Sequence, residues 1–242
     1  MKFPLPNLFI PGVQKAGTTA LSSFLSQHPD ICLVKGKEAH VFDDPEYHRA
    51  NNKLEYARTK YASKLAHYNG ERYILDATPI TMLHPEFIRA AAITCPDAKY
   101  IVMLRDPIER ALSHYAMTKS RGLEPHSPTK AFLLEPWRMR GFFKELPLAP
   151  FESKYRDQSY LIRGTYKRQL KALRYHIEDK NLFVARQSEL NIEHQETLHH
   201  IFSFLDIPTI KVQKQSVFKT SKEYVLPKLT EACLRTFFNL FI

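Results

Sequence analysis

The sequence predicts an α/β fold in which a P-loop-like parallel β-sheet is flanked by helices on both faces. Short apolar runs alternate along the chain with segments of helical periodicity, and strands separated by helices pair in parallel. Two of these runs pass directly into helix patterns through polar junctions, where the ligands of parallel sheets bind. At 242 residues with 44% hydrophobic content, the chain is expected to form a single domain (1–242) with a sizeable core.

The elements are assigned from apolar runs and from apolar residues three or four positions apart. Buried strands are predicted at 7–12, Tyr73–Asp76, Lys99–Leu104 and 182–185. Helices are predicted after the first strand, over 54–68, over 85–92, directly after Leu104, from Tyr166 to Ile177 and over 196–205. The proline-bearing stretch 124–150 is predicted to form loops around the mouth of a site.

Charge and composition narrow the classes of function. With 35 Lys+Arg against 25 Asp+Glu, the formal charge is +10, which favours an anionic ligand or a polyanion-facing surface. No apolar run approaches the roughly 18 residues that a membrane helix needs, so stable membrane insertion is not expected. The three cysteines, Cys32, Cys95 and Cys233, are expected to be reduced and structural. Their spacing fits no metal motif, and no metal site is predicted.

The first strand is followed by the loop PGVQKAGTTAL. Gly12 and Gly17 are five positions apart, as in a Walker A loop, but Thr18 stands where that motif has lysine and the lysine is Lys15. The loop therefore predicts a phosphate site without the nucleoside-triphosphate motif, with Thr18 or Thr19 as the cap of the next helix. The alternative is an ordinary turn in which Lys15 is exposed.

The strand Lys99–Leu104 passes into the second junction, RDPIERALSHY. Asp106 is predicted to cap the following helix, with Glu109 completing a capping box. Arg105 and Ser113 can converge on one anion, because a guanidinium fork and a hydroxyl both suit phosphate. The alternative is that Arg105 pairs with a carboxylate and Ser113 lies on a wet face.

Together the two junctions resemble the sulfotransferases that use 3′-phosphoadenosine 5′-phosphosulfate (PAPS), above all the Golgi heparan-modifying type and their bacterial relatives. KAGTTAL resembles the 5′-phosphosulfate loop of that family, and the second junction matches every fixed position of its 3′-phosphate segment, R-[DN]-P-x-x-R-x-x-S-x-Y. The resemblance implies the sulfotransferase fold, PAPS as donor, PAP as product and no metal. It also implies an acceptor hydroxyl or amine, first of all on a glycan.

The resemblance assigns roles on the donor side. Lys15 would stabilise the leaving phosphate, and Arg105 with Ser113 would bind the 3′-phosphate. The implied donor-binding residues are Lys15, Ala16, Gly17, Thr18, Thr19, Arg105, Ser113, Lys219 and Lys222. The two last lysines stand in FKTSKEY, at the place of the family's loop over the 3′-phosphate, without its Gly-Arg or its cysteine pair.

On the acceptor side, KEAHVF resembles the family's K-E-x-H-x-F segment. The resemblance implies Glu38 as the base that deprotonates the acceptor, with His40 as a rival because its intrinsic pKa suits the task. A solvated charged turn is the alternative. In YILDATP, Asp76 and Thr78 are weaker site candidates, and Ala77 replaces a family lysine, which weakens a heparan-like acceptor.

Several alternatives remain at this stage. The stretch 124–155, with Trp137, Arg138 and Arg140, is expected to shape acceptor choice or to be a packing insert. A P-loop kinase, a non-catalytic basic anion- or glycan-binding module and a pseudoenzyme are the competing classes. The expected partners are PAPS, PAP and a glycan or other hydroxyl-bearing acceptor, without nucleic acid. The compartment is the cytoplasm if Met1 is the native start, and the Golgi lumen if an N-terminal anchor has been removed.

Overall fold

A five-stranded parallel sheet forms the centre of the fold; its parallel arrangement was predicted, whereas the strand at Ile31–Leu33 was not. The computed structural model describes residues 4–214 and 223–240. The strand order is β2-β3-β1-β4-β5, and every neighbouring pair is parallel. The strands are β1 (Leu8–Phe9), β2 (Ile31–Leu33), β3 (Tyr73–Asp76), β4 (Lys99–Leu104) and β5 (Leu182–Arg186).

Helices fill most connections between the strands. They are α1 (Thr18–Leu25), α2 (Pro45–Arg49), α3 (Lys53–Lys64), α4 (Pro85–Thr94), α5 (Pro107–Ser120), α6 (Pro128–Arg138), α7 (Phe142–Glu145), α8 (Lys154–Asp157), α9 (Tyr166–His176), α10 (Gln187–Ile192), α11 (His194–Leu205) and α12 (Lys228–Asn239). The predicted helices correspond to α1, α3, α4, α5, α9 and α11. The first strand is shorter than the predicted 7–12.

The core is built on the two central strands. Residues 100–103 of β4 are at most 2% exposed, and the Phe9 ring of β1 stacks on the Tyr100 ring with centroids 5.2 Å apart. The sequence of such a strand is an unbroken apolar run because helices cover both faces of the sheet. The carboxyl ends of β1, β3 and β4 therefore meet at one edge, where the predicted loops lie.

The prediction that 124–150 forms loops is wrong, because α6, α7 and a 3₁₀ turn over Leu146–Leu148 occupy much of this stretch. Pro128 is the first residue of α6, where its missing N–H costs nothing and its fixed φ favours the helix. Ala131, Phe132 and Glu135 form the buried face of that helix. The prolines that suggested loops therefore include one that marks a helix start.

The helix α12 was not predicted from the sequence. Its buried face consists of Leu234 and Phe238, which pack with Ile108 and Ala111 of α5. Within residues 4–214 and 223–240, no helix has the length and apolar character required to cross a bilayer. All three cysteines are unpaired, as predicted, but Cys233 on α12 is exposed and has no packing role comparable to the two buried ones.

Candidate active site

The loop between β1 and α1, residues 12–17 (the glycine loop), is tied to the neighbouring strand. The N–H of Val13 donates to the carbonyl of Met103, and the N–H of Met103 donates to the carbonyl of Gly12, both at 2.9 Å. Gly17 has a φ of 89°, in the left-handed region that glycine adopts without strain. These contacts hold the loop at the carboxyl edge of the sheet.

Gly17, and neither Thr18 nor Thr19, is the N-cap of α1. The predicted threonine cap is therefore wrong, because the left-handed turn at Gly17 places Thr18 already inside the helix. The first N–H groups of a helix have no intrahelical acceptor, and they carry the positive end of its dipole. The glycine loop and α1 together thus form the kind of junction that binds a phosphate or sulfate group.

Lys15 occupies the middle of the glycine loop with a φ of 70°. Its carbonyl accepts from Arg105 Nη1 at 3.3 Å, so the two predicted junctions do meet. Burial lowers the pKa of the Lys15 ammonium, and the charges of Arg105, Arg121 and Arg110 lower it further. An anion bound here would relieve this repulsion, so the electrostatics favour a negatively charged ligand.

The second junction begins α5 as predicted, with Asp106 as the N-cap. Its carboxylate accepts from the N–H groups of Ile108 at 3.0 Å and Glu109 at 2.9 Å. The Glu109 carboxylate accepts from Arg105 Nε at 3.2 Å, a contact different from the predicted capping box. Because the Glu109 side chain is 63% exposed, this pair is weak and leaves Arg105 open to a stronger anionic partner. Ser113 lies further along α5 and is half-buried.

Arg110, the second arginine of the matched segment, is fully buried. It donates to the carbonyl of Gln14 at 3.4 Å and to the carbonyl of Tyr160. Since Gln14 belongs to the glycine loop, the buried Arg110 supports that loop from the interior of the protein. This support explains the presence of an arginine at position 110.

A buried histidine, His114, lies among these cations. Burial holds its pKa well below the ordinary value, and the charges of Arg163, Arg110, Lys15 and Arg121 act in the same direction. Within the described part of the chain, neither ring nitrogen has a hydrogen-bond partner. The folded protein therefore keeps His114 neutral.

This neutral histidine predicts an acid-sensitive stability. Below a pH of about 6.5 the unfolded chain protonates His114 and the folded chain does not, so the free energy of unfolding falls by up to about 1.4 kcal/mol per pH unit. His114→Leu is expected to flatten that slope. The measurement is urea unfolding at several pH values from neutral to about 5.5. Equal slopes in both proteins would contradict the assignment, because His48, His84 and His194 contribute the same background to each.

Asp76 and Thr78 support the loop that follows β2, residues 35–43 (the acceptor loop). Thr78 Oγ1 accepts from the N–H of Ala39 at 3.1 Å and of His40 at 3.3 Å, and it donates to Asp76 Oδ1 at 2.6 Å. Tyr61 donates to Asp76 Oδ2 at 2.8 Å. Asp76 and Thr78 are only 2% and 3% exposed. They hold the backbone of the acceptor loop in place from beneath it.

Glu38 and His40 lie together in the acceptor loop, followed by Asp43. His40 Nε2 lies 3.1 Å from Glu38 Oε2, and its Nδ1 lies 3.0 Å from Asp43 Oδ2. Arg156 of α8 is the last member of this series of ion pairs, with Nη1 2.5 Å from Asp43 Oδ2. Asp43 and Arg156 were not predicted. Asp43 stands three positions after His40, where a carboxylate orienting the ring could have been suspected, whereas Arg156 has no local signal.

These contacts set the protonation states of the pair. Burial opposes the charge on His40, but the hydrogen bonds to Asp43 and Glu38 outweigh it and raise the His40 pKa to about 10. Burial also opposes ionisation of Glu38, but the hydrogen bonds and charges of His40 and Lys37 hold the Glu38 pKa below its usual value. At neutral pH, Glu38 is therefore a carboxylate and His40 an imidazolium.

Lys37 connects the acceptor loop to the start of α1. Its Nζ lies 2.5 Å from Glu38 Oε1 and 3.3 Å from Thr19 Oγ1. Glu38 is thus one side chain away from the N-terminal end of α1. Lys219 and Lys222 lie outside the described residues, and among the described residues no group of three or more metal-ligating side chains occurs.

The chain is similar in sequence and in fold to proteins of one family. A family model described as "Sulfotransferase domain" matches residues 5–232. Heparan sulfate glucosamine 3-O-sulfotransferase 3B1 of Homo sapiens is 27% identical over 231 residues, which cover 96% of this chain and 54% of the relative. The membrane-associated sulfotransferase kil1 of Dictyostelium discoideum is 35% identical over 111 residues, or 46% of this chain and 22% of the relative. The chain thus spans about half or less of the length of these relatives.

A solved structure matches nearly the whole fold. It is the crystal structure of a sulfotransferase from Alicyclobacillus acidocaldarius, with a TM-score of 0.80 and 26% sequence identity. The match covers 99% of this chain and 94% of that chain. The fold is therefore shared over almost the full length of both chains.

Proposed function

Because this chain belongs to the sulfotransferase family, we propose that it transfers a sulfonate group from PAPS to a hydroxyl group, or an amine, of a carbohydrate. One observation carries the proposal. Lys37 contacts both Thr19, at the start of α1, and Glu38, in the acceptor loop. An anion held at the glycine loop and an acceptor held at Glu38 would meet across this short distance, as group transfer requires.

The donor would occupy the edge of the sheet between the two junctions. PAPS supplies an activated sulfonate on its 5′-phosphate. The 15–19 segment of the glycine loop and α1 offers backbone N–H groups and the Lys15 ammonium to that phosphate. Arg105 is placed beside Lys15 by its contact with the Lys15 carbonyl, and with Ser113 it would bind the 3′-phosphate. This second anion site is what would separate PAPS from ATP.

The transfer itself needs a base and a group that stabilises the leaving charge. Glu38 would take the proton of the acceptor O–H as the oxygen forms its bond to sulfur. The bond between sulfur and the phosphate oxygen breaks, and Lys15 would stabilise the negative charge that develops on that oxygen. Both nitrogens of His40 are engaged, by Glu38 and Asp43, and its pKa is about 10. These contacts favour Glu38 as the base and His40 as its orienting partner.

The acceptor class follows from the relatives. Several matched proteins are named as heparan sulfate glucosamine sulfotransferases, which supports a glycan hydroxyl as the acceptor. Ala77 replaces the lysine that the heparan-type pattern carries at this position, so the acceptor would differ from heparan in charge or linkage. We also propose that residues 1–242 form a single transferase domain, which the matched range 5–232 supports.

The test is sulfur-label transfer from radiolabelled PAPS to a panel of acceptors. The panel contains an N-sulfated heparan oligosaccharide, a chondroitin oligosaccharide and octyl glucoside, with a hydrophobic alcohol as the non-sugar comparison. The proposal predicts sulfur label from PAPS on at least one glycan. It predicts no phosphoryl label on any acceptor when labelled ATP is supplied instead. Phosphoryl transfer from ATP, or label on the alcohol alone, would contradict it.

A further inference from the structure

An exposed aromatic ring stands at the rim of the Glu38–His40 pair. Phe151 lies in the turn just before α8, and 42% of it is exposed. Its ring meets the His40 ring edge to face, with centroids 5.7 Å apart at 84°. The guanidinium carbon of Arg156 lies over one face of the Phe151 ring, 4.6 Å from the centroid. His40 and Arg156 belong to the series of ion pairs that orients Glu38. They thus fix the position of a ring that remains open to solvent.

The position of this ring is more informative than its exposure. Single exposed apolar residues are common on protein surfaces and need no explanation. Trp137, for example, is 65% exposed on α6, where it contacts the guanidinium of Arg140. Phe151 differs because its partner His40 holds Glu38 at 3.1 Å. One imidazole ring therefore separates the exposed aromatic surface from the proposed base.

We propose that Phe151 is the platform on which the acceptor sugar rests, with the apolar face of a pyranose ring stacked on the face of the phenyl ring opposite Arg156. This inference rests on the proposed function and adds the recognition of its acceptor. A pyranose presents C–H groups on its faces and hydroxyl groups around its rim. A sugar stacked on Phe151 would thus point rim hydroxyls toward Glu38. Aromatic surfaces with a few placed polar groups are typical of such sites.

The surrounding segment keeps this platform in place. Arg156 is 7% exposed and binds Asp43 through its side chain and through the Asp43 carbonyl. Further back, Arg49 of α2 donates to the carbonyl of Leu148 at 3.4 Å. The turn that carries Phe151 is thus anchored on both sides to elements that border the acceptor loop. The stretch 124–155 would take part in acceptor choice through Phe151 rather than through Trp137.

The test separates acceptor binding from support of His40. Steady-state kinetics are measured at saturating PAPS with the glycan of the panel that the wild-type protein sulfates fastest. Phe151→Ala is expected to raise the acceptor KM about tenfold, with kcat within about twofold and the KM for PAPS unchanged. Phe151→Trp is expected to restore the acceptor KM. Tyr175→Ala, at a ring that is 83% exposed on α9, serves as the matched control and should change neither constant.

Each outcome bears on a different statement. Two results for Phe151→Ala would show that the ring only supports His40 and would overturn the inference. One is a lower kcat with an unchanged acceptor KM. The other is a shift of the alkaline limb of the pH profile to lower pH. A tenfold rise in acceptor KM for Trp137→Ala but not for Phe151→Ala would overturn it as well. If the wild-type protein labels no glycan, the proposed function fails, and the platform fails with it. If the wild-type protein is active and Phe151→Ala has an unchanged acceptor KM, only the platform inference is overturned.

Discussion

Lys15→Ala is expected to lower kcat for sulfonate transfer by about 10²–10³-fold, on the order of 3 kcal/mol of transition-state stabilisation. Lys15 stands in the glycine loop, where burial and three neighbouring arginines lower the pKa of its ammonium. This repulsion is relieved most when negative charge develops on the leaving phosphate, so the loss should appear in kcat more than in binding. The measurement is PAP release under saturating PAPS and acceptor.

A matched lysine controls for the loss of positive charge. Lys171 is exposed on α9, and Lys171→Ala should leave kcat unchanged. Thermal unfolding of both variants shows whether the fold survives, since Lys15 has a left-handed backbone that alanine would have to adopt in its place. Near-wild-type turnover by Lys15→Ala would show that the leaving phosphate is stabilised by another group.

Glu38→Gln is expected to lower kcat by about 10²–10⁴-fold, because an amide cannot accept the acceptor's proton. The exposed Glu196 on α11 provides the control substitution Glu196→Gln, which should have no effect. If His40 were the base instead, Glu38→Gln would retain most activity, and His40→Asn would lose it.

The pH profile of kcat/KM distinguishes the same two roles. The Glu38 pKa lies below its usual value, so activity should fall only when the pH drops below the normal glutamate range. Activity should also decline near pH 10, where His40 loses its proton and no longer orients Glu38 as an imidazolium. Asp43→Asn removes a hydrogen bond and a charge that raise the His40 pKa, so it should move the alkaline limb to lower pH. A rise in activity through the His40 pKa would identify His40 as the base.

Local signals in the sequence predicted much of the fold. The strand β4 has a long apolar run and the helix α5 an apolar stripe, and Asp106 is an N-cap because its carboxylate reaches two nearby N–H groups. The strand β2 was missed although its three residues are as apolar as those of β3, and α12 was missed because only two of its side chains are buried. The helices of 124–150 were missed because prolines were read as loop signals.

The site was predictable only where its residues are neighbours in sequence. Glu38 and His40 share one loop, and the glycine loop is contiguous. Arg156 binds Asp43 across 113 positions, and Phe151 meets His40 through the same packing, so no local pattern carries either contact. The threonine cap failed for another reason. A left-handed Gly17 ends the loop one residue earlier than a side-chain cap would.

We propose that the edge of the sheet holds two anion sites, one for each phosphate of the donor. Calorimetric titration with PAP, adenosine 5′-monophosphate and ATP tests this proposal. Wild-type protein should bind PAP far more tightly than either of the others, and the double variant Arg105→Ala, Ser113→Ala should bind PAP no more tightly than adenosine 5′-monophosphate. Arg174→Ala on α9 is the control and should bind as the wild type does. Equal affinity of the wild-type protein for PAP and adenosine 5′-monophosphate, or a preference for ATP, would contradict the proposal.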